Sequence, residues 1–306
     1  MEFRAIGRLN VSVVGLGCNN FGGRLDAEAT TAVVHAALDA GINLFDTADI
    51  YGGSKSEEFL GRALGARRED VVVATKFGMA AENAGRAAYV REACDASLRR
   101  LGTDRIDLYQ LHRPDPNTPV EETLGALDEL VRAGKVIAIG NSNFTGDQID
   151  AAEEVACAHG SARFVCAQND YSLLERAAER DVLPACERHR LGFLPYFPLA
   201  SGLLTGKYRR GEPPPPGTRL AGMPDERRAQ VLSDQRLAVV ERIDGFARSR
   251  EHTLLELAMS WLARAPRVTS VIAGATKPEQ VRANVAAASW KLAASEVAEI
   301  DALTRG

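Results

Sequence analysis

Eight short apolar runs recur along the chain, and most are separated by amphipathic stretches long enough for a helix. The apolar runs cover residues 11–15, 42–45, 71–75, 106–111, 136–140, 164–167, 192–197 and 268–272. The amphipathic stretches include residues 27–40, 86–100, 120–133 and 177–190. Strands that alternate with helices predict a parallel sheet. Eight such units predict an α/β fold of the (β/α)8 TIM-barrel type, formed as a single domain by residues 1–306.

Two segments depart from this alternation. Residues 1–10 precede the first unit and predict a small N-terminal hairpin that closes one end of the barrel. Residues 199–234 follow the seventh strand without a strand of their own, and the proline run at 212–217 prevents a regular helix there. A long loop at this place predicts a lid over the substrate or the cofactor, with a disordered surface loop as the alternative.

Composition excludes several classes of function. Apolar residues make up 45% and charged residues 25% of the chain, as in ordinary globular proteins. The net charge of −4 and the absence of a basic stripe argue against a nucleic-acid partner. We find no apolar run that could cross a membrane and no signal-like start. The five cysteines are scattered without a CxxC pair, which favours a cytoplasmic protein with neither a metal site nor disulfides. The oligomeric state, monomer or homo-oligomer, stays open.

Four chemically versatile residues follow three consecutive strands. Asp46 and Tyr51 follow the second run, Lys76 follows the third and His112 follows the fourth. In a barrel of this kind, the carboxyl ends of the strands converge on the face that carries the chemistry. We therefore expect an acid, a phenol, an amine and an imidazole to lie together there.

This set suits protonation of a carbonyl oxygen while a hydride reaches the carbonyl carbon. A free tyrosine has a pKa of about 10, and a nearby ammonium such as Lys76 is expected to favour its phenolate form. Asp46 would pair with the amine, and His112 would orient the oxygen or share the proton. Taken singly, the Asp46–Lys76 pair is more easily read as structural, so the combination carries the hypothesis.

Two further motifs are misleading. Residues Tyr51 and Lys55 have the YxxxK spacing of short-chain dehydrogenases, but Gly52 and Gly53 make the required helix improbable. The segment 15–20 begins like a GxGxxG loop, but Asn20 replaces the third glycine and no helix is expected before about residue 26.

Three long segments resemble the signatures of the aldo-keto reductase family, in particular its branch with bacterial reductases and potassium-channel β-subunits. They read GINLFDTADIYG at 41–52, LGTDRIDLYQLH at 101–112 and GKVIAIGNSNF at 134–144. The resemblance runs nearly end to end and implies a (β/α)8 barrel with NADPH across its carboxyl-end face. It also implies that Tyr51 is the general acid, that Lys76 and Asp46 tune it, and that His112 positions the carbonyl.

The same resemblance implies a set of cofactor contacts. Ser142, Asn143 and Gln168 match the residues that bind the nicotinamide carboxamide, and Tyr196 matches the aromatic that stacks on its ring. The pyrophosphate and adenosine contacts implied are Leu199, Ser201, Gly202, Lys207, Arg219, Gly274, Thr276, Lys277, Gln280 and Asn284. Lys277 and Arg219 would place positive charge near a 2′-phosphate, which favours NADPH over NADH. Many relatives carry serine where this chain has Phe197, and proline where it has Ala273.

The expected function is therefore an NADPH-dependent oxidoreductase that converts aldehydes or ketones to alcohols. The alternative is an NADPH-binding redox-sensing regulatory subunit with little turnover. The substrate, a small carbonyl compound, is not identified by the sequence. The candidate pocket residues are Asn19, Asn20, Phe21, Phe77, Arg113 and the proline-rich insertion.

Overall fold

The computed structural model describes residues 1–305, whose regular elements alternate along most of the chain. The strands are β1 Phe3–Ile6, β2 Leu9–Ser12, β3 Val14–Gly17, β4 Leu44–Asp46, β5 Val72–Phe77, β6 Ile106–Leu111, β7 Val136–Ser142, β8 Phe164–Asp170, β9 Gly192–Tyr196 and β10 Val271–Gly274. The helices are α1 Ala27–Asp39, α2 Lys55–Leu64, α3 Ala87–Leu101, α4 Val120–Arg132, α5 Gly146–His159, α6 Val182–His189, α7 Asp225–Val231, α8 Asp234–Arg248, α9 Leu254–Arg264, α10 Pro278–Ala287 and α11 Ala294–Arg305. No helix among these residues is both long and apolar enough to span a membrane.

Strands β3 to β10 form a parallel sheet in the order β10-β3-β4-β5-β6-β7-β8-β9. The two edges of this sheet meet through a bridge between Phe193 and Val268. At this seam, Phe193 N donates to Arg267 O at 2.7 Å and Thr269 N donates to Phe193 O at 2.9 Å. The sheet is thus closed into the predicted (β/α)8 barrel. The predicted eighth strand, 268–272, covers both the residues that form this seam and the first half of β10.

The N-terminal hairpin is present, but it ends two residues later than predicted. Strands β1 and β2 pair antiparallel from Phe3 with Ser12 to Ile6 with Leu9. The predicted first barrel strand, 11–15, therefore began too early, since residues 11 and 12 belong to β2 and β3 starts at Val14. Ile6, Leu9 and Val11 are buried with the residues that fill the barrel interior, so the hairpin closes the end opposite the carboxyl ends of the strands.

The predicted helix over residues 177–190 was also too continuous. A single 3-10 turn, Ala177–Glu179, precedes α6, and the two are separated by Asp181 with φ −140° and ψ −45°. The amphipathic pattern carried no signal for this break.

The insertion after β9 contains no strand, as predicted, and it packs against the barrel. It begins with a 3-10 turn, Ala200–Thr205, and ends with α7. Leu203, Leu204 and Leu220 are fully buried, and Tyr208 is nearly so. Burial of these apolar side chains removes them from water and holds the insertion on the body of the protein.

Candidate active site

The alternation of side chains along β4 and β5 places two charged groups inside the barrel. Leu44 and Ala74 belong to the cluster that fills the barrel interior, whereas Phe45 and Val73 pack outward against the helices. Asp46 and Lys76 lie two residues beyond Leu44 and Ala74, so they point inward at the next layer up.

The Lys76 ammonium is held by two oxygens in the barrel interior. Its Nζ lies 2.7 Å from Asp46 Oδ2 and 2.8 Å from the Thr47 carbonyl oxygen. The other carboxylate oxygen, Asp46 Oδ1, accepts from Gln168 Nε2 at 2.9 Å and from Gln110 Nε2 at 3.4 Å. Lys76 is wholly buried and Asp46 is 3% exposed. A buried ion pair of this kind is stable only because both partners are hydrogen-bonded.

A glycine turn carries Tyr51 over this pair. Gly52 and Gly53 have φ angles of 59° and 64°, and α2 begins only at Lys55, so the YxxxK spacing does not lie on a helix. Lys76 Nζ is 5.2 Å from the centroid of the Tyr51 ring. The rings of Tyr51 and His112 meet edge to face, with centroids 5.8 Å apart. The four predicted residues therefore form one cluster.

Burial raises the pKa of Tyr51, and the opposing effect of the Lys76 charge is partly cancelled by Asp46. This direction is opposite to the one expected from the sequence, where Lys76 was expected to dominate. Tyr51 is therefore protonated at neutral pH. For Lys76, burial alone would lower the pKa, but the Asp46 carboxylate and Tyr51 raise it above its usual value, so the amine stays charged.

His112 is neutral at physiological pH. Burial, together with the charges of Lys76 and Arg113, lowers its pKa to about 3. Its Nδ1 is buried without a hydrogen-bond partner among the residues that the structure describes. In a neutral imidazole, one ring nitrogen donates a hydrogen bond and the other accepts one. His112 can therefore orient an oxygen, but it carries no positive charge.

These residues lie at one side of a cleft of about 1140 Å³. Asp46, Tyr51 and His112 line it, while Lys76 lies beneath them. Every residue implied as a cofactor contact also lines this cleft, namely Ser142, Asn143, Gln168, Tyr196, Leu199, Ser201, Gly202, Lys207, Arg219, Gly274, Thr276, Lys277, Gln280 and Asn284.

Hydrogen bonds fix the side chains where β7, β8 and β9 end. Tyr196 Oη donates to Asn143 Oδ1 at 2.7 Å, and Asn143 Nδ2 donates to the His112 carbonyl oxygen at 2.8 Å. Ser142 Oγ donates to the Gln168 carbonyl oxygen at 2.8 Å. Asn143 has a φ of 62°, a conformation that asparagine tolerates better than most residues. These bonds tie the proposed nicotinamide contacts to the residue that would orient the substrate.

Near the start of α10, the backbone N–H of the implied contact Thr276 is already hydrogen-bonded. The Thr276 N–H donates to Gln280 Oε1 at 2.7 Å, and the Thr276 hydroxyl lies 3.1 Å from the same oxygen. The helix begins at Pro278 after Lys277. The Thr276 N–H can therefore bind a phosphate only after the Gln280 side chain has rotated.

Phe197 contacts the insertion. Its φ is 52°, and the Arg219 guanidinium carbon lies 5.1 Å from the centroid of its ring. Across the cleft, Arg24 donates to the Gly217 carbonyl oxygen at 3.1 Å. The residues 216–219 thus cover the cleft, in agreement with the predicted lid position.

Sequence reasoning misplaced two pocket residues and missed others. Phe21 and Phe77 are fully buried core residues that do not line the cleft, because Phe77 stacks on Tyr109 and Phe21 packs in the outer core. The proline-rich insertion lines the cleft through Pro216 and Gly217, as expected, whereas lining residues such as Cys18, Arg24, Ile50, Met79 and Leu255 were not named from the sequence. The position of Ile50 beside Tyr51 could have indicated that it lines the cleft, whereas no sequence pattern indicated this for Arg24.

The chain is similar to known proteins over almost its whole length. Residues 13–305 match the model of the aldo/keto reductase family. A probable voltage-gated potassium channel subunit beta from Oryza sativa subsp. japonica is 36% identical, over 94% of this chain and 91% of its own length. A probable aldo-keto reductase 1 from Glycine max is 35% identical, over 95% of this chain and 84% of its own. Aldo-keto reductase YhdN from Bacillus subtilis (strain 168) is 36% identical, over 99% of this chain and 93% of its own.

Proposed function

Because the chain belongs to the aldo/keto reductase family and is therefore an oxidoreductase, we propose that it reduces aldehydes or ketones to alcohols with NADPH. The observation that carries the proposal is the cluster of Tyr51, His112 and the Asp46–Lys76 pair at the wall of the cleft. The cluster combines a proton donor with groups that stabilise the donor after the proton has left.

Each residue of the cluster has a distinct role in this proposal. Tyr51 is protonated at neutral pH, and its hydroxyl donates a proton to the carbonyl oxygen. The Lys76 ammonium, fixed by Asp46, stabilises the phenolate that remains, and it is more effective in a buried site than in water. The neutral His112 hydrogen-bonds the carbonyl oxygen and orients it toward Tyr51. A positioned acid of this type contributes about 10²–10⁴-fold to the rate.

The residues around the cleft fit a nicotinamide dinucleotide phosphate. When bound, the cofactor supplies the hydride. Amide and hydroxyl groups of Ser142, Asn143 and Gln168 would hold the carboxamide, and Tyr196 would stack on the ring. The cleft is cationic, since five lysine and arginine side chains and a single carboxylate, that of Asp46, are among its described lining residues. This charge suits the phosphates of the cofactor.

The same charge supports a preference for NADPH over NADH. Lys277 and Arg219 would contribute to binding of the 2′-phosphate, which NADH lacks. The test is the Michaelis constant for each cofactor in the wild-type protein and in Lys277→Met. We expect the substitution to weaken NADPH binding by about tenfold and to leave NADH almost unaffected. Equal constants for the two cofactors in the wild type would contradict the preference.

Turnover of Tyr51→Phe tests the catalytic proposal. The loss of reduced-nicotinamide absorbance is followed with a panel of aldehydes and ketones, and cofactor binding is measured separately by fluorescence. We expect the substitution to abolish most turnover while NADPH still binds, because only the hydroxyl is removed. Full turnover in Tyr51→Phe, or loss of cofactor binding, would contradict the role of Tyr51.

A second candidate function is an NADPH-binding regulatory subunit that senses the redox state. It is favoured by the 36% identity to the rice protein named as a probable channel subunit beta, over 91% of that protein's length. NADPH that binds without reduction of any carbonyl in the panel would support this candidate. A partner retained from source lysate with NADPH but not without it would identify the regulated protein.

A further inference from the structure

We propose that the substrate carries an anionic group, a carboxylate or a phosphate, and that Arg113 binds this group while Tyr51 and His112 hold the carbonyl. The inference rests on the proposed reductase function and specifies its substrate class.

The charge of the cleft is unbalanced. Its described lining residues include the cations Arg24, Arg113, Lys207, Arg219 and Lys277. Its single lining carboxylate, Asp46, is already paired with Lys76 at 2.7 Å. The whole chain has a net charge of −4, so this concentration of positive charge is local. A cleft lined by one sign of charge attracts ligands of the opposite sign.

The cofactor does not account for all of these cations. Lys207, Arg219 and Lys277 belong to the loops after β9 and β10. Arg113 instead follows β6 and is separated from β9 in the sheet by β7 and β8. It is the direct neighbour of His112 in the chain, and its charge acts on the imidazole. Arg113 therefore lies on the side of the cleft where the carbonyl is expected.

Arg113 is available for a ligand. Its side chain is exposed and makes no hydrogen bond or ion pair with any residue in 1–305. The carboxylate closest in sequence, Asp115, is occupied by its own loop. It accepts from Gly85 N at 2.8 Å, from Asn117 N at 2.9 Å and from Thr118 Oγ1 at 2.7 Å. Asp115 is thus bound by donors other than Arg113.

Apolar groups beside the catalytic residues indicate what kind of segment links the carbonyl of the substrate to its anionic group. Ile50, adjacent to Tyr51, is 38% exposed, and Met79 lies just beyond β5; both line the cleft. A short hydrocarbon segment would cover these side chains. The predicted substrate is therefore an aldehyde or ketone with a few carbons between its carbonyl and a terminal carboxylate or phosphate.

Matched probe pairs test this inference. The pairs are 4-oxobutanoate with its methyl ester, and glyceraldehyde 3-phosphate with glyceraldehyde, each assayed with NADPH at low and high salt. In the wild type we expect kcat/KM to be at least about tenfold higher for the anionic member of one pair, since one charged hydrogen bond suffices for that difference. The pair that shows the preference distinguishes a carboxylate from a phosphate.

The variants are Arg113→Met, Arg113→Lys and a charge-matched control, Arg99→Met. Arg99 is an exposed residue in the last turn of α3, at the end of the barrel opposite the cleft. We expect Arg113→Met to remove the preference through a higher KM for the anionic probe, Arg113→Lys to restore part of it, and Arg99→Met to keep it.

The outcomes separate this inference from the proposed function. Reduction of the ester and of glyceraldehyde without any preference for the anionic partner would overturn the anionic substrate and leave the reductase intact. A preference that survives in Arg113→Met would overturn the role of Arg113. Failure to reduce any of the four probes, or the neutral aldehydes of the earlier panel, would count against the reductase proposal and this inference together.

Discussion

The buried Asp46–Lys76 pair predicts strong energetic coupling between its two residues. Lys76 is wholly buried, and its only charged partner among the described residues is Asp46, at 2.7 Å. Asp46→Asn leaves an ammonium without a counterion, and Lys76→Met leaves a carboxylate without one. Removing one partner of a buried pair typically costs about 3–5 kcal/mol.

The double variant removes both charges, so no buried charge is left uncompensated. We expect it to lose no more stability than either single variant, which gives a coupling energy of at least about 3 kcal/mol. Urea unfolding of the four proteins at pH 7, without cofactor, measures the free energies of unfolding. The control is the same double-mutant cycle on Arg91 and Glu129, whose side chains are 2.7 Å apart but 47% and 58% exposed. For this exposed pair we expect a coupling energy of less than about 1 kcal/mol.

Additive effects of Asp46→Asn and Lys76→Met would refute this reasoning. So would single substitutions that cost less than about 1 kcal/mol, as is typical of an exposed pair. Either result would mean that water reaches the Lys76 ammonium, and the proposed stabilisation of the Tyr51 phenolate in a buried site would then lose its basis.

Two further predictions concern the turn before α2 and the charge of His112. A Cβ at Gly52 would lie 2.2 Å from the Phe21 carbonyl oxygen, whereas one at Gly53 meets nothing within 4 Å. We therefore expect Gly52→Ala to displace Tyr51 and lower kcat severely, and Gly53→Ala, at a similar φ, to cost only about 1–2 kcal/mol of stability; equal losses of kcat would contradict this. His112 has a pKa of about 3 instead of 6.5, so below about pH 6.5 the unfolded chain binds a proton that the folded chain does not. The stability from neutral His112 is thus present above pH 6.5 and decreases as the pH falls toward 3. Unfolding measured from pH 7.5 to 5 should be less pH-dependent in His112→Gln than in the wild type or in the exposed control His159→Gln; an unchanged slope would contradict the neutral imidazole.

Much of this fold was predictable because its determinants are local. The carboxyl ends of consecutive parallel strands meet on one face of the barrel, so the meeting of Asp46 and Lys76 was expected from their places after the second and third apolar runs. The hairpin boundary was misplaced because Val11 and Ser12 continue the same apolar pattern as β3, and only the pairing of β2 with β1 separates them.

What the sequence did not predict depends on long-range placement. The direction of the Tyr51 pKa is set by the balance between burial and two opposite charges, and that balance requires distances. The contact of Arg24 with Gly217 joins residues 193 positions apart. The last residue of β5, Phe77, was expected in the pocket, but the alternation of the strand turns it into the core against Tyr109.

Transfer of an isotopic label tests the central claim most directly. The protein is incubated with an aldehyde and NADPH that carries deuterium at one of the two C4 positions, and the alcohol is analysed by mass spectrometry. Because Tyr196 would cover one face of the nicotinamide ring, we predict deuterium on the carbinol carbon from one epimer of the cofactor and not from the other. Alcohol without deuterium from either epimer, or with equal label from both, would contradict direct hydride transfer in this cleft.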